Sequence, residues 1–309
     1  MPGRDDRAGL SLPPLFSLPP LLAPVRTIGA RTFDFSHRVA VMAIVNRTPD
    51  SFYDQGRTFT LDRAVRSALT AVDEGADWVD IGGMPFSRDV PEVSAAEELD
   101  RVLPVVEAVA ARSDVVISVD TCRPTVARAC VAAGAAVVND TSGLRDPAMA
   151  EVVADTGATV VIAHSLHGPR SPAGRPRYDD VVDDVVRFLR DRVAFAVGRG
   201  IASEQIVVDP GHDLDKNTRH SLEITRRLAE ITAIGPPTLV ALSNKDFIGE
   251  TLDRGRDDRV AGSLAAAALS VALGARIVRV HNVRASVDAV RLTEAVLGLR
   301  EPAYVRHNT

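Results

Sequence analysis

Eight times along the chain, a short unbroken apolar run is followed by polar or glycine punctuation and then by a longer amphipathic stretch. The runs cover residues 39–45, 78–81, 115–119, 136–138, 159–163, 206–208, 238–242 and 277–280. A run without polar alternation is buried on both faces, which marks a parallel strand covered by helices rather than a half-exposed antiparallel one. The stretches between them, about 61–74, 95–111, 124–133, 147–155, 180–199, 221–231, 256–273 and 286–297, carry helix punctuation. Pro124 and Pro147 stand where a first helical turn tolerates a missing N–H. Gly75, Gly134, Gly157, Gly200 and Gly274 stand where helices end in left-handed caps. Eight βα units either close a barrel or spread into a doubly wound sheet. Eight is the barrel number, and no Gly-x-Gly-x-x-Gly follows the first run. The expectation is therefore an α/β fold, a TIM-type (β/α)8 barrel forming one domain over residues 31–309, with a short hairpin around residues 32–39 plugging its floor.

Length agrees, because one barrel of about 250 residues accounts for most of the 309. A net charge of -5 gives no reason to expect nucleic acid or an anionic membrane as partner. Cys122 and Cys130 are eight residues apart, more than two helical turns and too far for a disulfide, so reduced thiols and a cytoplasmic setting are expected. No apolar stretch is long enough to span a bilayer. Residues 1–30 differ from the rest. Pro13, Pro14, Pro19, Pro20 and Pro24 interrupt a Leu-rich run whose start is Arg-Asp-Asp-Arg, which is unlike a signal peptide. A flexible or extended arm is expected there, or a segment that packs on a neighbouring subunit.

Active sites of such barrels lie at the C-terminal ends of the strands, and here all eight runs end in polar residues or glycine. In order they supply Asn46; Asp80, Gly82 and Gly83; Asp120; Asn139 and Asp140; His164; Asp209; Ser243, Asn244 and Lys245; and Arg279, His281 and Asn282. One Asp after a strand is as often a turn former as a ligand; a complete ring is harder to explain that way. Asp120, Asn139 and Asp209 suit a planar ligand with an amidine-like N–H edge, which pairs with carboxylate and amide oxygens. Asn46, Arg279 and His281 suit an anion such as phosphate, with Mg²⁺. Of the 36 Lys and Arg residues only Lys216 and Lys245 are lysine, and Lys245 falls at a strand end. The carboxylates of the 209–216 stretch match no metal-ligand spacing.

Asn46-Arg-Thr-Pro-Asp-Ser-Phe52, Asp80-Ile-Gly-Gly83, Ser118-Val-Asp-Thr121, Asn139-Asp140, Asp209-Pro-Gly211 and Arg279-Val-His281 occur in this order. Together they closely resemble the dihydropteroate synthase family, over about residues 32–299. That family condenses a dihydropterin methyl diphosphate with p-aminobenzoate to make dihydropteroate in folate biosynthesis. The resemblance implies that Asp120, Asn139, Asp209 and Lys245 hold the pterin. It implies that Arg279, His281 and Asn46 hold the diphosphate, with Asn46 also near Mg²⁺. It further implies catalytic parts for Lys245 and Asp120, a displacement of SN1 type and a homodimer.

The departures from the family pattern are as informative. Gly-Gly-Glu-Ser-Thr-Arg-Pro after the second strand becomes Gly82-Gly83-Met84-Pro85-Phe86-Ser87-Arg88. Gly-Phe-Gly-Phe-Gly-Lys after the sixth becomes Gly211-His-Asp-Leu-Asp-Lys216, Ser-Arg-Lys-Ser after the seventh becomes Ser243-Asn244-Lys245-Asp246, and the Asp after Arg-Val-His becomes Asn282. Each lost charge-assisted contact costs about 1.5–3 kcal/mol, roughly ten- to 150-fold in rate or affinity. The pattern thus reads as a diverged, impaired or inactive relative that keeps its pterin floor and loses its second-substrate walls. The alternatives are a working synthase in which Arg88 replaces the missing arginine, and a non-catalytic pterin-binding or regulatory partner. The Thr-Pro-Asp-Ser-Phe motif argues against a pterin-dependent methyl carrier on the same barrel. The segment 261–274, small and apolar on nearly every face, points to a second covered side and so to a homodimer.

Overall fold

The computed structural model describes residues 18–47, 61–84, 92–168 and 175–307. It opens with an antiparallel hairpin, β1 (Val25–Ile28) and β2 (Arg31–Asp34). Eight parallel strands follow: β3 (Ala40–Asn46), β4 (Trp78–Gly82), β5 (Val116–Asp120), β6 (Val137–Asp140), β7 (Thr159–Ala163), β8 (Ile206–Asp209), β9 (Leu239–Val240) and β10 (Ile277–Val280). They pair in the order β8-β7-β6-β5-β4-β3-β10-β9. The seam between the two ends is closed by the parallel bridge Val208–Thr238 and the bond from Val208 N–H to Pro237 O, 3.1 Å. The expected (β/α)8 barrel is thus observed.

Helices α1 (Leu61–Asp73), α2 (Ala95–Ala110), α3 (Pro124–Ala132), α4 (Pro147–Thr156) and α5 (Val181–Gly198) cover the first five connections, and α6 (Thr218–Arg226) with α7 (Leu228–Thr232) covers the sixth. α8 (Asp246–Leu252) and α9 (Val260–Ala272) follow β9, and α10 (Val283–Val296) ends the barrel. The capping signals act as their chemistry predicts. Pro124 and Pro147 sit in the first turns of α3 and α4, and the Asp146 carboxylate accepts the Ala148 N–H at the start of α4.

Three expectations are corrected. The hairpin lies at residues 25–34 rather than 32–39, so of the arm expected over residues 1–30, residues 25–28 are strand; residues 1–17 lie outside the described part. The helix expected at 221–231 starts at Thr218, where Asn217 caps it, and breaks at Arg227. The helix expected from 256 begins at Val260, and the short α8 precedes it. α8 was not foreseen because seven residues beginning Asp-Phe-Ile carry too short a pattern to separate from a loop.

Strand alternation builds the interior. Val41, Ala43, Val79, Ile81, Ile117, Val119, Val138, Val160, Ile162, Val208, Val278 and Val280 face the helices in one cluster. Met42, Trp78, Val116, Val137, Val161, Val207, Leu239 and Ile277 face inward in a second, closed from below by Ile28, Phe33 and Phe35. Trp78 meets Phe33 edge-to-face at 5.9 Å between centroids. Below them Arg26, 2% exposed, donates to the carbonyls of Leu22, Ala23, Glu204 and Ile206 and ties the hairpin to the floor. Two residues further along each strand the side chain again points inward, and there the interior turns polar. Among the described residues, no helix is long and apolar enough to cross a membrane.

Candidate active site

The inward positions one pleat above the apolar floor are Asp80 on β4, Ser118 on β5, Asn139 on β6, Asp209 on β8 and Arg279 on β10. Register places them together: Asp80 is opposite Ser118, and Asp120 opposite Asn139. Arg279 lies across their centre. Its Nε donates to Asp80 Oδ2 at 2.6 Å and its Nη2 to Asp120 Oδ2 at 3.0 Å. Asn139 Nδ2 donates to the same Asp80 Oδ2 at 3.0 Å. Asp80 is fully buried, so its charge is stable only because it is paired. Burial, reinforced by the neighbouring Asp80 charge and opposed by Arg279, pushes the Asp120 carboxyl up. Burial also raises Asp209, although Lys245 and the Gly211 N–H, donated to Asp209 Oδ1 at 2.7 Å, pull it back. For Arg279, burial opposes the charge but Asp80 and Asp120 outweigh it and hold it above its ordinary value.

The rim carries the remaining candidates. Asn46 ends β3, and its Oδ1 lies 3.2 Å from where a Cβ would stand on Gly82. Lys245 caps the start of α8, and its Nζ donates to the His212 carbonyl. Burial lowers the Lys245 ammonium, while Asp213 and Asp209 support its charge. His281 follows β10 and is held by Ser243 Oγ, which lies 3.2 Å from both its backbone N and its Nδ1. Desolvation by the surrounding wall, with the charges of Arg279 and Lys245, pulls its ring down to about 4, so it is neutral at pH 7. Asn46, Asp120, Asn139, Asp209, Lys245, Arg279 and His281 therefore converge on one mouth, and none lies on the floor. Among the described residues no three His, Cys, Asp or Glu side chains cluster as a metal cage. The Asn46 amide supplies one hard oxygen, which fits a Mg²⁺ that takes most of its ligands from water and a bound diphosphate.

The altered loops after β8 and β9 form one cross-braced unit. Asp213 and Asp215 stand where the family pattern has glycine, and both are left-handed, at φ 63° and 49°. Asp tolerates this conformation better than most residues with a side chain, so the turn survives the loss of glycine. Gly211 keeps its glycine for a harder reason: a Cβ there would lie 2.0 Å from the His164 carbonyl oxygen. The Asp213 carboxylate accepts from Ser221 Oγ at 2.9 Å and from the Asp246 N–H at the start of α8 at 2.8 Å. Asp246 in turn pairs with Arg259 at 2.8 Å, and Arg259 also donates to the Asn244 carbonyl. Asn244 is itself left-handed, at φ 59°. Phe86, Ser87 and Arg88, and the first motif beyond Arg47, lie outside the described residues.

Sequence reasoning did not single out Lys216 as a buried group. It is 7% exposed, and its Nζ donates to the carbonyls of Leu214 (2.8 Å), Gly211 (2.9 Å) and His164 (3.3 Å) and meets His164 Nδ1 at 2.9 Å. Burial pulls its ammonium down to about 7, and burial beside Lys216 pulls His164 to about 2. The available signal was its rarity as one of two lysines. Asp80 was visible as a strand-end residue, but its partners were not. Glu98 of α2, fully buried and paired with Arg123 at 2.7 Å, carried no signal of its own.

Comparison with known proteins accounts for this arrangement. Residues 42–281 match the family described as pterin binding enzyme. The dihydropteroate synthase of Escherichia coli is 41% identical over 270 residues, covering 87% of this chain and 95% of the relative. A Mycobacterium leprae protein named inactive dihydropteroate synthase 2 is 44% identical over 271 residues, covering 86% and 93%. The structure of Xanthomonas albilineans dihydropteroate synthase with 4-aminobenzoic acid superposes with a TM-score of 0.82 at 41% identity, covering 88% of this chain and 98% of that one. An Asp, Asn, Asp, Lys, Arg and His ring on one barrel mouth, over this length and at this identity, leads to one conclusion: the chain belongs to the pterin-binding enzyme family and is homologous to the dihydropteroate synthases of folate biosynthesis.

Proposed function

We propose that this chain is a pterin-binding member of the dihydropteroate synthase family whose synthase turnover is weak or absent. The observation that carries the reading is the cross-braced rim: the Asp213 carboxylate, which the family pattern lacks, accepts the backbone N–H of residue 246 and ties the two loops together, while the added Asp246 carboxylate occupies Arg259. In this reading Asp120, Asn139 and Asp209 present acceptors to the N–H edge of the pterin, and Lys245 lies against its oxygen side. Arg279, His281 and Asn46 hold the diphosphate. Asn46 would hold Mg²⁺ through its amide oxygen, where the metal would supply charge neutralisation for the leaving diphosphate. The Asp120 carboxylate stabilises the positive charge that develops on the pterin as diphosphate departs, and Lys245 orients the ring through its oxygen side. The likeness to a relative named inactive supports impaired turnover, as does a rim whose added carboxylates repel a carboxylate-bearing second substrate. A homodimer through the outer faces of α9 and α10 and a cytoplasmic setting belong to the same reading.

The test is diphosphate release with both substrates saturating, alongside complementation of a strain lacking the synthase. The expected wild-type rate is at least a hundredfold below ordinary family turnover. Substituting Phe86→Thr, Ser87→Arg, Asn244→Arg and Asp246→Ser together should raise it. A wild-type rate within about tenfold of ordinary enzyme turnover rejects the impaired reading in favour of the working synthase. A dead wild type that still binds pterin, with no recovery in a folded restored variant, favours a binding or partner role.

A further inference from the structure

We propose that Asp80 sets the hydrogen-bond polarity of the Asn139 amide and so makes the pocket select a ligand edge that donates N–H over one that presents oxygen. The inference deepens the pterin-binding reading and rests on it for the identity of the ligand. Asn139 is 3% exposed and Asp80 fully buried. An amide side chain has nearly the same shape in either orientation, so packing alone does not decide which end faces the ligand. Asp80 decides it. A carboxylate only accepts, so the amide nitrogen must turn toward it, and Nδ2 lies 3.0 Å from Oδ2. The same carboxylate oxygen accepts from Arg279 Nε at 2.6 Å, and a guanidinium has no acceptor of its own, so both partners of Asp80 meet it as donors. The amide is thereby committed with its oxygen outward. Asn139 Oδ1 is buried and has no partner among the described residues, the state of an acceptor awaiting a donor.

The surroundings extend the same polarity. Asp120 lies on the neighbouring strand, opposite Asn139 in register, and Asp209 ends β8, two strands to the other side. Asn139, Asp120 and Asp209 supply acceptors here, while Arg279 turns its Nε and Nη2 toward Asp80 and Asp120. A 2-amino-4-oxopyrimidine edge supplies the matching N–H groups. A 2,4-dioxo edge sets oxygen against oxygen, and sites built to pair a polar group reject analogues that leave it unpaired or repelled. Asp80 is thus a positioning residue. It acts through Asn139, and its contribution is discrimination rather than contact.

The test compares binding of pterin and of lumazine, which carries oxygen in place of the 2-amino group, by calorimetry to the wild-type protein and to Asp80→Asn. The expected wild-type preference for pterin is at least tenfold. Asn at position 80 keeps the shape but can either donate or accept, which frees the Asn139 amide to turn, so the preference should fall at least fivefold. A merely structural defect weakens both ligands by the same factor, and an unchanged ratio overturns the proposal. A second measurement needs no ligand: hydrogen exchange of the Asn139 side-chain NH₂ in the ligand-free wild-type protein, its ¹⁵N signals assigned by their loss in Asn139→Ala. Exchange at least a hundredfold slower than for an exposed asparagine supports the held amide, and exposed-like exchange overturns it. If the wild type binds neither compound, the pterin reading fails, and whether Asn139 exchanges faster in Asp80→Asn than in the wild type still decides whether Asp80 holds the amide.

Discussion

Replacing Lys216 by methionine separates two opposite effects of one buried amine. The side chain satisfies three carbonyls of the loop after β8, and leaving a buried acceptor unpaired costs about 1–3 kcal/mol. The ammonium itself is unfavourable there, because burial lowers it from its ordinary 10.5 to about 7. Below about pH 7 the folded and unfolded chains are both protonated at this site, and it adds no pH dependence. Above that, the folded chain releases a proton that the unfolded chain keeps until 10.5, so the unfolded state binds more protons and stability rises with pH. At about 1.4 kcal/mol per unit, and with the group already half-titrated at pH 7, the wild type gains about 2 kcal/mol between pH 7 and pH 9 from this residue. Methionine has no such proton, while every other group titrates in both proteins. Urea unfolding followed by far-UV circular dichroism at the two pH values should therefore show Lys216→Met falling behind the wild type by that amount as pH rises. Stabilities that change equally between pH 7 and pH 9, within about 0.5 kcal/mol, would refute a buried, depressed lysine.

Asp213→Ala should cost about 1 kcal/mol, because α8 loses the carboxylate that accepts its first N–H; Asp213→Gly should cost less, since glycine relieves the left-handed backbone, and thermal melts of both variants test the order. Arg279→Leu should destabilise the protein by about 3–5 kcal/mol by stranding Asp80, and adding Asp80→Asn should recover part of it in urea titrations; equal stability of single and double variants would deny the pairing. His281, depressed to about 4, stays neutral above about pH 5, so His281→Ala should leave the pH 6–8 dependence of pyrophosphate binding unchanged in calorimetry. The unfolded ring takes up a proton between 6.5 and 4 that the folded ring refuses, so stability falls as pH drops through that range, the same sign as for a carboxyl depressed by folding. Leu269 on α9 and Leu292 and Val296 on α10 are 60%, 69% and 68% exposed, so Leu269→Arg with Leu292→Arg should halve the sedimenting mass at micromolar concentration, and a wild type that already sediments as a monomer would remove the dimer.

The barrel was legible in the sequence because its signals are local. A run such as 159–163 is apolar on both faces, Pro147 and Gly157 bound the helix before it, and repeating that unit eight times leaves few topologies. The mouth was legible for a related reason: strands that end in Asp120, Asn139 and Asp209 put those groups at one end of any parallel barrel. Family resemblance added the ligand chemistry, which residue types alone did not specify. What tertiary structure decided was pairing. Asp80 and Arg279 are 199 residues apart in sequence, and only the closing of β10 against β3 brings Arg279 over the strands that carry Asp80 and Asp120. Asp213 and Asp246 both read as surface loop acids until the barrel sets the loop after β8 beside the loop after β9. Lys216 read as a loop lysine, and its burial follows from a turn wrapped around its own side chain. Burial, protonation and hydrogen-bond polarity depend on what the rest of the chain places within a few ångströms, and period and composition along a strand carry no record of those neighbours.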